Sequence, residues 1–153
     1  MSTGLKIQKA SLANVPALAP LFDAYRSFYG KPSDLSLAEK FLRERLAANE
    51  SVIFFCHKPA ADAIAGFTQL YPFFSSVSAA RILVLNDLYV APDSRRLGIG
   101  RALMQAAHDH ARQTGAVRVD LSTAHTNKSA QALYESFGYA HDTDFRTYSL
   151  SIA

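Results

Sequence analysis

Leu85–Arg101 reads LNDLYVAPDSRRLGIGR, and the reading of this stretch decides the fold. Leu85, Leu88, Tyr89 and Val90 are strand formers. Ala91-Pro92-Asp93 closes the strand, because Pro92 has no backbone N–H to give a ladder. Arg95 and Arg96 follow, and Gly98 and Gly100 then leave the backbone bare where a helix begins. The first N–H groups of a helix have no partner inside it, and the helix dipole is positive at that end. Phosphate binds at such places, and missing Cβ atoms let it come close. No Gly-Lys-Ser/Thr follows, so this is not a Walker A loop, and the third glycine of a dinucleotide fingerprint is missing. Glycines between a strand and a helix also serve simply as a tight turn.

Downstream, Ile99, Ala102, Leu103, Ala106, Ala107 and His110 recur at i, i+3, i+4 spacing. That predicts one buried helix face, with Gly115 as the residue just past the helix end. Val117–Leu121 is a strand reached by a crossover, hence parallel to the strand ending at Val90. Asn127 is expected to cap a further helix with Ala130, Leu133 and Phe137 inward and Gly138 ending it. Tyr139–His141 and Phe145–Ile152 read as closing strands.

Upstream, Arg81–Val90, Ala63–Phe74 and Ser51–His57 are three strands with short turns, which predicts an antiparallel meander. Gly66 marks a bulge in the middle strand. Leu5–Ala10 alternates apolar and polar residues and reads as a first strand. A helix is expected over Val15–Phe28, capped by Asn14, with Pro16 in its first turn and Pro20 as a kink. Ser36-Leu37-Ala38-Glu39 matches a capping box for a second helix ending near Asn49. The order is β-α-α-β-β-β-α-β-α-β-β, an α/β fold with a mixed, mostly antiparallel central sheet.

The chain has 153 residues, a formal charge of +3 and about half its residues apolar, so it reads as a single domain over 1–153 with its own core. Its basic residues are scattered, without a block of like charge, so no nucleic-acid partner is expected. No apolar run approaches the roughly 20 residues of a membrane helix, and Met1–Ala10 lacks the apolar region of a signal peptide. One cysteine, Cys56, excludes an internal disulfide and fits a reducing, cytoplasmic setting. Cys56 lies in an apolar strand and reads as packing. His108 and His110 are two apart on a helix and cannot share a metal, and His57, His125 and His141 show no ligand spacing. No metal site is expected.

A second constellation is Asn127-x-x-Ala130-x-x-Leu133-Tyr134-x-x-x-Gly138-Tyr139. Seven residues separate Asn127 from Tyr134, which puts both on one side of the helix. Alone, this is equally an N-cap and a half-buried aromatic. With the Arg95-x-x-Gly98-x-Gly100 turn at this separation, it resembles the GCN5-related N-acetyltransferase (GNAT) superfamily. The specific match runs from Leu85 to Tyr139, about a third of the chain.

The resemblance implies that Arg95, Arg96, Leu97, Gly98, Ile99, Gly100 and Arg101 hold the pyrophosphate of acetyl-CoA through backbone amides. It implies that Leu88, Tyr89 and Val90 pair with the pantetheine arm between two splayed central parallel strands. It places Asn127 near the cofactor arm and Tyr134 near the thioester sulfur. The implied chemistry is direct attack of an amine on the thioester carbonyl. The Val90 N–H would stabilise the oxyanion, and Tyr134, a phenol of pKa ~10, would protonate the leaving thiolate.

An acceptor amine is a cation at neutral pH and needs a base. Relatives resembling the diamine acetyltransferases carry two adjacent acids before the turn; here Asn86-Asp87 keeps one. Asp87 reads as base or amine anchor, or as a structural carboxylate bonded to a turn. Tyr25, Phe28 and Tyr29 form one aromatic cluster, and Tyr71, Phe73 and Phe74 another. The family places both at the acceptor pocket, with Tyr29, Tyr71 and Phe73 as substrate contacts, though such residues also serve as core or interface. The expected function is an acetyl-CoA-dependent N-acetyltransferase for a small primary amine, as a homodimer. Acetylation of a protein Lys or N-terminus, or coenzyme A binding without catalysis, are the alternatives.

Overall fold

The computed structural model describes residues 4–59 and 61–153. Residues up to Leu121 form one compact unit and Ser122–Ala153 another. The first unit runs β1 (Gln8–Lys9), α1 (Val15–Phe28), α2 (Leu35–Ala47), β2 (Val52–His57), β3 (Ile64–Ser75), β4 (Ala80–Val90), α3 (Ile99–Gln113) and β5 (Val119–Asp120). Its five strands lie in chain order in one sheet. The first four pair antiparallel, and β5 is parallel to β4. This is the meander and crossover that the sequence predicts.

Neighbouring strand residues point to opposite faces, and two helical layers use both. Val15, Leu18 and Phe22 of α1, with Ala38 and Leu42 of α2, pack on Ile53, Phe55 and Phe67. On the other face Ile99 and Leu103 of α3 pack on Cys56 and Ala65. Gly66 makes the second packing possible. A Cβ there would lie 2.9 Å from Ile99 Cγ2 and 3.1 Å from the Tyr89 carbonyl. The bulge expected at Gly66 falls beside it: Cys56 pairs with Gly66 and His57 with Ile64, so Ala65 is the extra residue.

Several local expectations are corrected. The first strand is only Gln8–Lys9; Leu5 and Ile7 instead pack against the α3 cluster. Asn14 does not cap α1 with its side chain; its Oδ1 turns back to the Ser11 amide at 2.8 Å, within a 3₁₀ turn. The N-cap of α2 is Asp34, accepting from the Leu37 amide at 3.0 Å, not the capping box at Ser36. Asp34's own amide donates to Asp23 at 2.8 Å, and Ser33 Oγ donates to Asp23 at 2.6 Å. These bonds tie the α1–α2 loop to α1 and hold the Asp23 carboxyl below its usual range.

In the second unit Asn127 caps α4 (Lys128–Ser136), accepting from the Ala130 amide at 3.2 Å. Gln131 Nε2 donates to the carbonyls of Ala124 and His125, which fixes the loop before the helix. Gly138 leaves α4 at φ +98°, as its place in the sequence predicts. The closing strands expected at Tyr139–His141 and Phe145–Ile152 do not form. A strand needs a paired edge, and alternation states only a preference for one. Tyr148, Leu150 and Ile152 alternate, yet each is more than 80% exposed. No helix of the described residues is long and apolar enough to cross a membrane.

Candidate functional site

The β3–β4 ladder carries an irregularity where the sequence places two polar residues in a row. Gln69 pairs with Asp87, but Leu70 pairs with Leu85, so Asn86 is an extra residue in β4. A bulge of this kind bends the strand and re-aims the side chains beside it. Asp87 and Gln69 lie directly opposite one another, in phase with Tyr89 and Phe67, which pack toward α1.

Asp87 is only 2% exposed. Gln69 Nε2 donates to its Oδ2 at 2.5 Å and Asn86 Nδ2 to its Oδ1 at 2.7 Å. Thr68 Oγ1 donates to its backbone carbonyl at 2.8 Å. Burial pushes the Asp87 carboxyl above its usual range, opposed by hydrogen bonds from Asn86, Gln69 and Tyr25. Burial, then the Asp87 charge, also raises the phenols of Tyr25 and Tyr71, so both are neutral O–H groups at physiological pH. A raised carboxylate among neutral phenols can take a proton from an amine that reaches it.

Tyr25 is the hinge of an aromatic group. Its ring lies 5.8 Å from Phe67, 5.8 Å from Tyr89 and 5.1 Å from Tyr29. Phe28 closes the circuit, 5.2 Å from Tyr29 and 6.0 Å from Tyr89. Phe28 and Tyr29 are mostly exposed, whereas Tyr25 leads inward to Asp87. Phe73 stands apart: it pairs with Ile82, four residues beyond Gln69 along β3, about 13 Å at strand spacing.

The other end of β4 runs into the turn. Ala91 N–H bonds the Ala65 carbonyl at 2.8 Å, so Phe67–Tyr89 is a bonded pair and the amides of Leu88 and Val90 point to the opposite edge. There β5 pairs with β4 only at Leu83 and Val84, so from Leu85 to Val90 that edge has no β5 partner among the described residues. Arg95 folds back: its Nε donates to the Val90 carbonyl at 3.1 Å, and its guanidinium lies 5.7 Å from the Tyr89 ring centroid. Lys58 holds the 3₁₀ turn at Pro92–Ser94 through a 2.7 Å ion pair to Asp93.

Arg96 and Gly98 both have left-handed backbones, at φ +65° and +78°. The first helical bond of α3 is Ala102 N–H to the Gly98 carbonyl, at 3.0 Å. The amides of Ile99 and Gly100 stand ahead of it, where helical geometry supplies no carbonyl. A Cβ on Gly98 would meet no heavy atom within 4 Å, so an anion has room to approach the backbone. Leu97 is half exposed and Ile99 is buried under the sheet, while Arg101 lies in the first turn of α3.

Among sequence-predicted residues, the structure thus joins Asp87 and Tyr71, links Tyr29 to them through Tyr25, and strings Leu88–Val90 and Arg95–Arg101 along one strand, turn and helix. Asn127 and Tyr134 belong to the second unit, where Tyr134 lies 6.0 Å from Tyr139, centroid to centroid. Sequence reasoning missed Gln69, whose pairing with Asp87 depends on register. The signal for the bulge was present in the Asn86-Asp87 pair, which breaks the alternation between Leu85 and Leu88. Among the described residues no cluster of three His, Cys, Asp or Glu side chains could hold a metal ion.

Comparison with known proteins gives consistent matches. The sequence model of the Acetyltransferase (GNAT) family matches residues 18–139. The uncharacterized N-acetyltransferase YhfO of Bacillus subtilis (strain 168) is 47% identical over 97% of this chain and 98% of its own length. A thialysine N-epsilon-acetyltransferase of Caenorhabditis elegans is 30% identical over 74% of this chain and 68% of its own. The crystal structure of a probable acetyltransferase superposes with a TM-score of 0.90 at 44% identity, covering 97% of this chain and 98% of that one.

Proposed function

The chain belongs to the GNAT family of acetyltransferases, and from that premise we propose that it moves the acetyl group of acetyl-CoA to a primary amine of a small molecule by direct attack. An amino acid, a polyamine or an aminoglycoside-like compound is the class of acceptor meant. The observation that carries this reading is the buried Asp87 carboxylate among the neutral phenols of Tyr25 and Tyr71, on the strand that ends in the open Gly98 turn. The likeness to a thialysine acetyltransferase, an enzyme named for a small amine, adds to it.

The residues fit the donor. The backbone from Arg95 to Arg101 would take the pyrophosphate, with Gly98 giving it room. The outward edge of Leu88–Val90 would pair with the pantetheine arm, and Tyr89 would stand beside it. Asn127 would border that arm. When bound, acetyl-CoA supplies the activated acyl group; the chain supplies position and protons. Asp87 takes the proton that the acceptor ammonium must lose. The Val90 amide, on the free edge of β4, is the donor for negative charge on the acyl oxygen. By the family resemblance, Tyr134 would be the residue to return a proton to the departing sulfur. Tyr29, Tyr71 and Phe73 are the acceptor-side contacts of this reading. A homodimer and a cytoplasmic location are part of the same expectation, and sedimentation of the purified chain checks the first.

A screen of small primary amines for acetyl-CoA-dependent thiol release tests the function. Turnover with small amines supports it. Turnover confined to peptides would move the acceptor to a protein Lys or N-terminus. Tight coenzyme A binding with no release from any amine would make the chain a sensor.

A further inference from the structure

Gln69 is fully buried, and one end of its carboxamide is unused. Its Nε2 donates to Asp87 Oδ2 at 2.5 Å, while its Oε1 has no hydrogen-bond partner among the described residues. Charge fixes this orientation, because an ionised carboxylate only accepts and the NH₂ must face it. Oε1 shares a carbon with Nε2 and therefore lies close to the same carboxylate. A buried oxygen left unpaired keeps its whole desolvation penalty, and native proteins rarely leave one without a purpose. Two acceptors side by side in a dry place, one of them anionic, match a cation bearing several N–H donors.

Resting on the acetyl-transfer reading above, we propose that Gln69 is a positioning and specificity residue: its Oε1 receives an N–H of the acceptor amine while Asp87 receives the proton that leaves. A primary ammonium has three N–H bonds. One proton passes to the Asp87 carboxylate. The nitrogen keeps a lone pair for the acyl carbon and two N–H bonds, one of them given to Oε1. The new C–N bond would form as the C–S bond breaks, the thiolate leaving with a proton from Tyr134. The nitrogen's second proton, lost as the amide forms, would restore that phenol through solvent, and the one remaining N–H stays on Oε1. An alcohol in the same place has no hydrogen left after losing its proton, so Oε1 stays unpaired. Gln69 therefore selects amines over hydroxyls.

The groups around Asp87 are few. Tyr25 faces it from α1, Tyr71 from β3 and Asn86 from β4, while Tyr29 acts on Tyr25 and Arg45 of α2 on Tyr71. Burial keeps the two nearer phenols neutral across the working range, so an acidic limb in the rate profile reports Asp87.

The test is steady-state kinetics of Gln69→Met and Gln69→Glu against an amine from the screen and its hydroxyl isostere. In Gln69→Met the amine KM should rise about tenfold or more, with the acetyl-CoA KM unchanged. The amine-to-alcohol ratio of kcat/KM should fall by a similar factor. The acidic limb should move to higher pH, because Asp87 loses a donor to its charged form. Gln69→Glu has the same size and a second negative charge, and should move the limb further the same way; it carries the test if the methionine variant does not fold. Unchanged amine KM, acceptor ratio and limb in a folded variant would overturn the role of Gln69 while leaving acetyl transfer standing. Absence of turnover by the wild-type chain on every amine would overturn acetyl transfer, and this role with it.

Discussion

The phenol of Tyr25 donates to the backbone carbonyl of Asn86, 3.3 Å away, joining α1 to the single extra residue of the β4 bulge. The same hydroxyl reaches the Asp87 carboxylate and favours its charged form. One helix thereby fixes both the shape of the strand and the proton affinity of its acid. Tyr25→Phe keeps the ring packing on Phe67 and Tyr89 and removes only these bonds. The loss of stability should be about 1 kcal/mol. The acidic limb of kcat/KM should shift to higher pH, since Asp87 loses a stabilising donor. Thermal melting and a pH–rate profile check the two parts separately.

Asp87 sets stability against activity. Its folded pKa is raised, so between the unfolded and folded values the native state holds more protons. Stability then falls as pH rises through that window, and the buried charge remains a cost above it. Asp87→Asn keeps the shape and removes the charge. Its melting temperature should exceed that of the parent at pH 8, by about 2–4 °C for each kcal/mol relieved. The gain should vanish at pH values where the parent's carboxyl is protonated in both states. Turnover should drop roughly 10²–10⁴-fold. A variant that melts lower at pH 8 and keeps its activity would return Asp87 to a structural role.

The legible parts of this chain are those whose signal is local. Pro16, suited to a first helical turn, marks the start of α1, and Gly98, read as bare backbone between strand and helix, is left-handed at φ +78°. Caps are less legible, because Asp34 and Ser36 compete for the same helix start, and Asp34, whose amide is bonded to Asp23, takes it. The Gln69–Asp87 pair depends on the register of two strands eighteen residues apart, which no local pattern contains. The closing strands fail to form for a related reason: Tyr148, Leu150 and Ile152 alternate as a strand would, but alternation names no partner.

Gly98 tests the anion turn. An alanine at φ +78° carries a left-handed strain of about 1–2 kcal/mol. Its methyl group meets no protein atom, so packing adds nothing to that cost. It does fill the space from which a phosphate would reach the amides of Ile99 and Gly100. Gly98→Ala should raise the KM for acetyl-CoA several-fold and leave the KM for the amine unchanged. Titration calorimetry with coenzyme A gives the binding loss without turnover. Equal affinity in parent and variant would mean that the turn serves only to start α3.

Tyr134 is tested by the step that it is assigned. An acid that protonates the departing sulfur acts after the donor has bound, so its loss belongs in kcat and not in affinity. Tyr134→Phe keeps the ring that lies 6.0 Å from Tyr139 and removes only the hydroxyl. Turnover should fall about 10²-fold or more, while coenzyme A binds as in the parent. An alkaline limb that reports this acid should disappear with it, because the group that must be protonated is gone. If turnover and the alkaline limb survive, the thiolate takes its proton from solvent, and Tyr134 contributes only its ring.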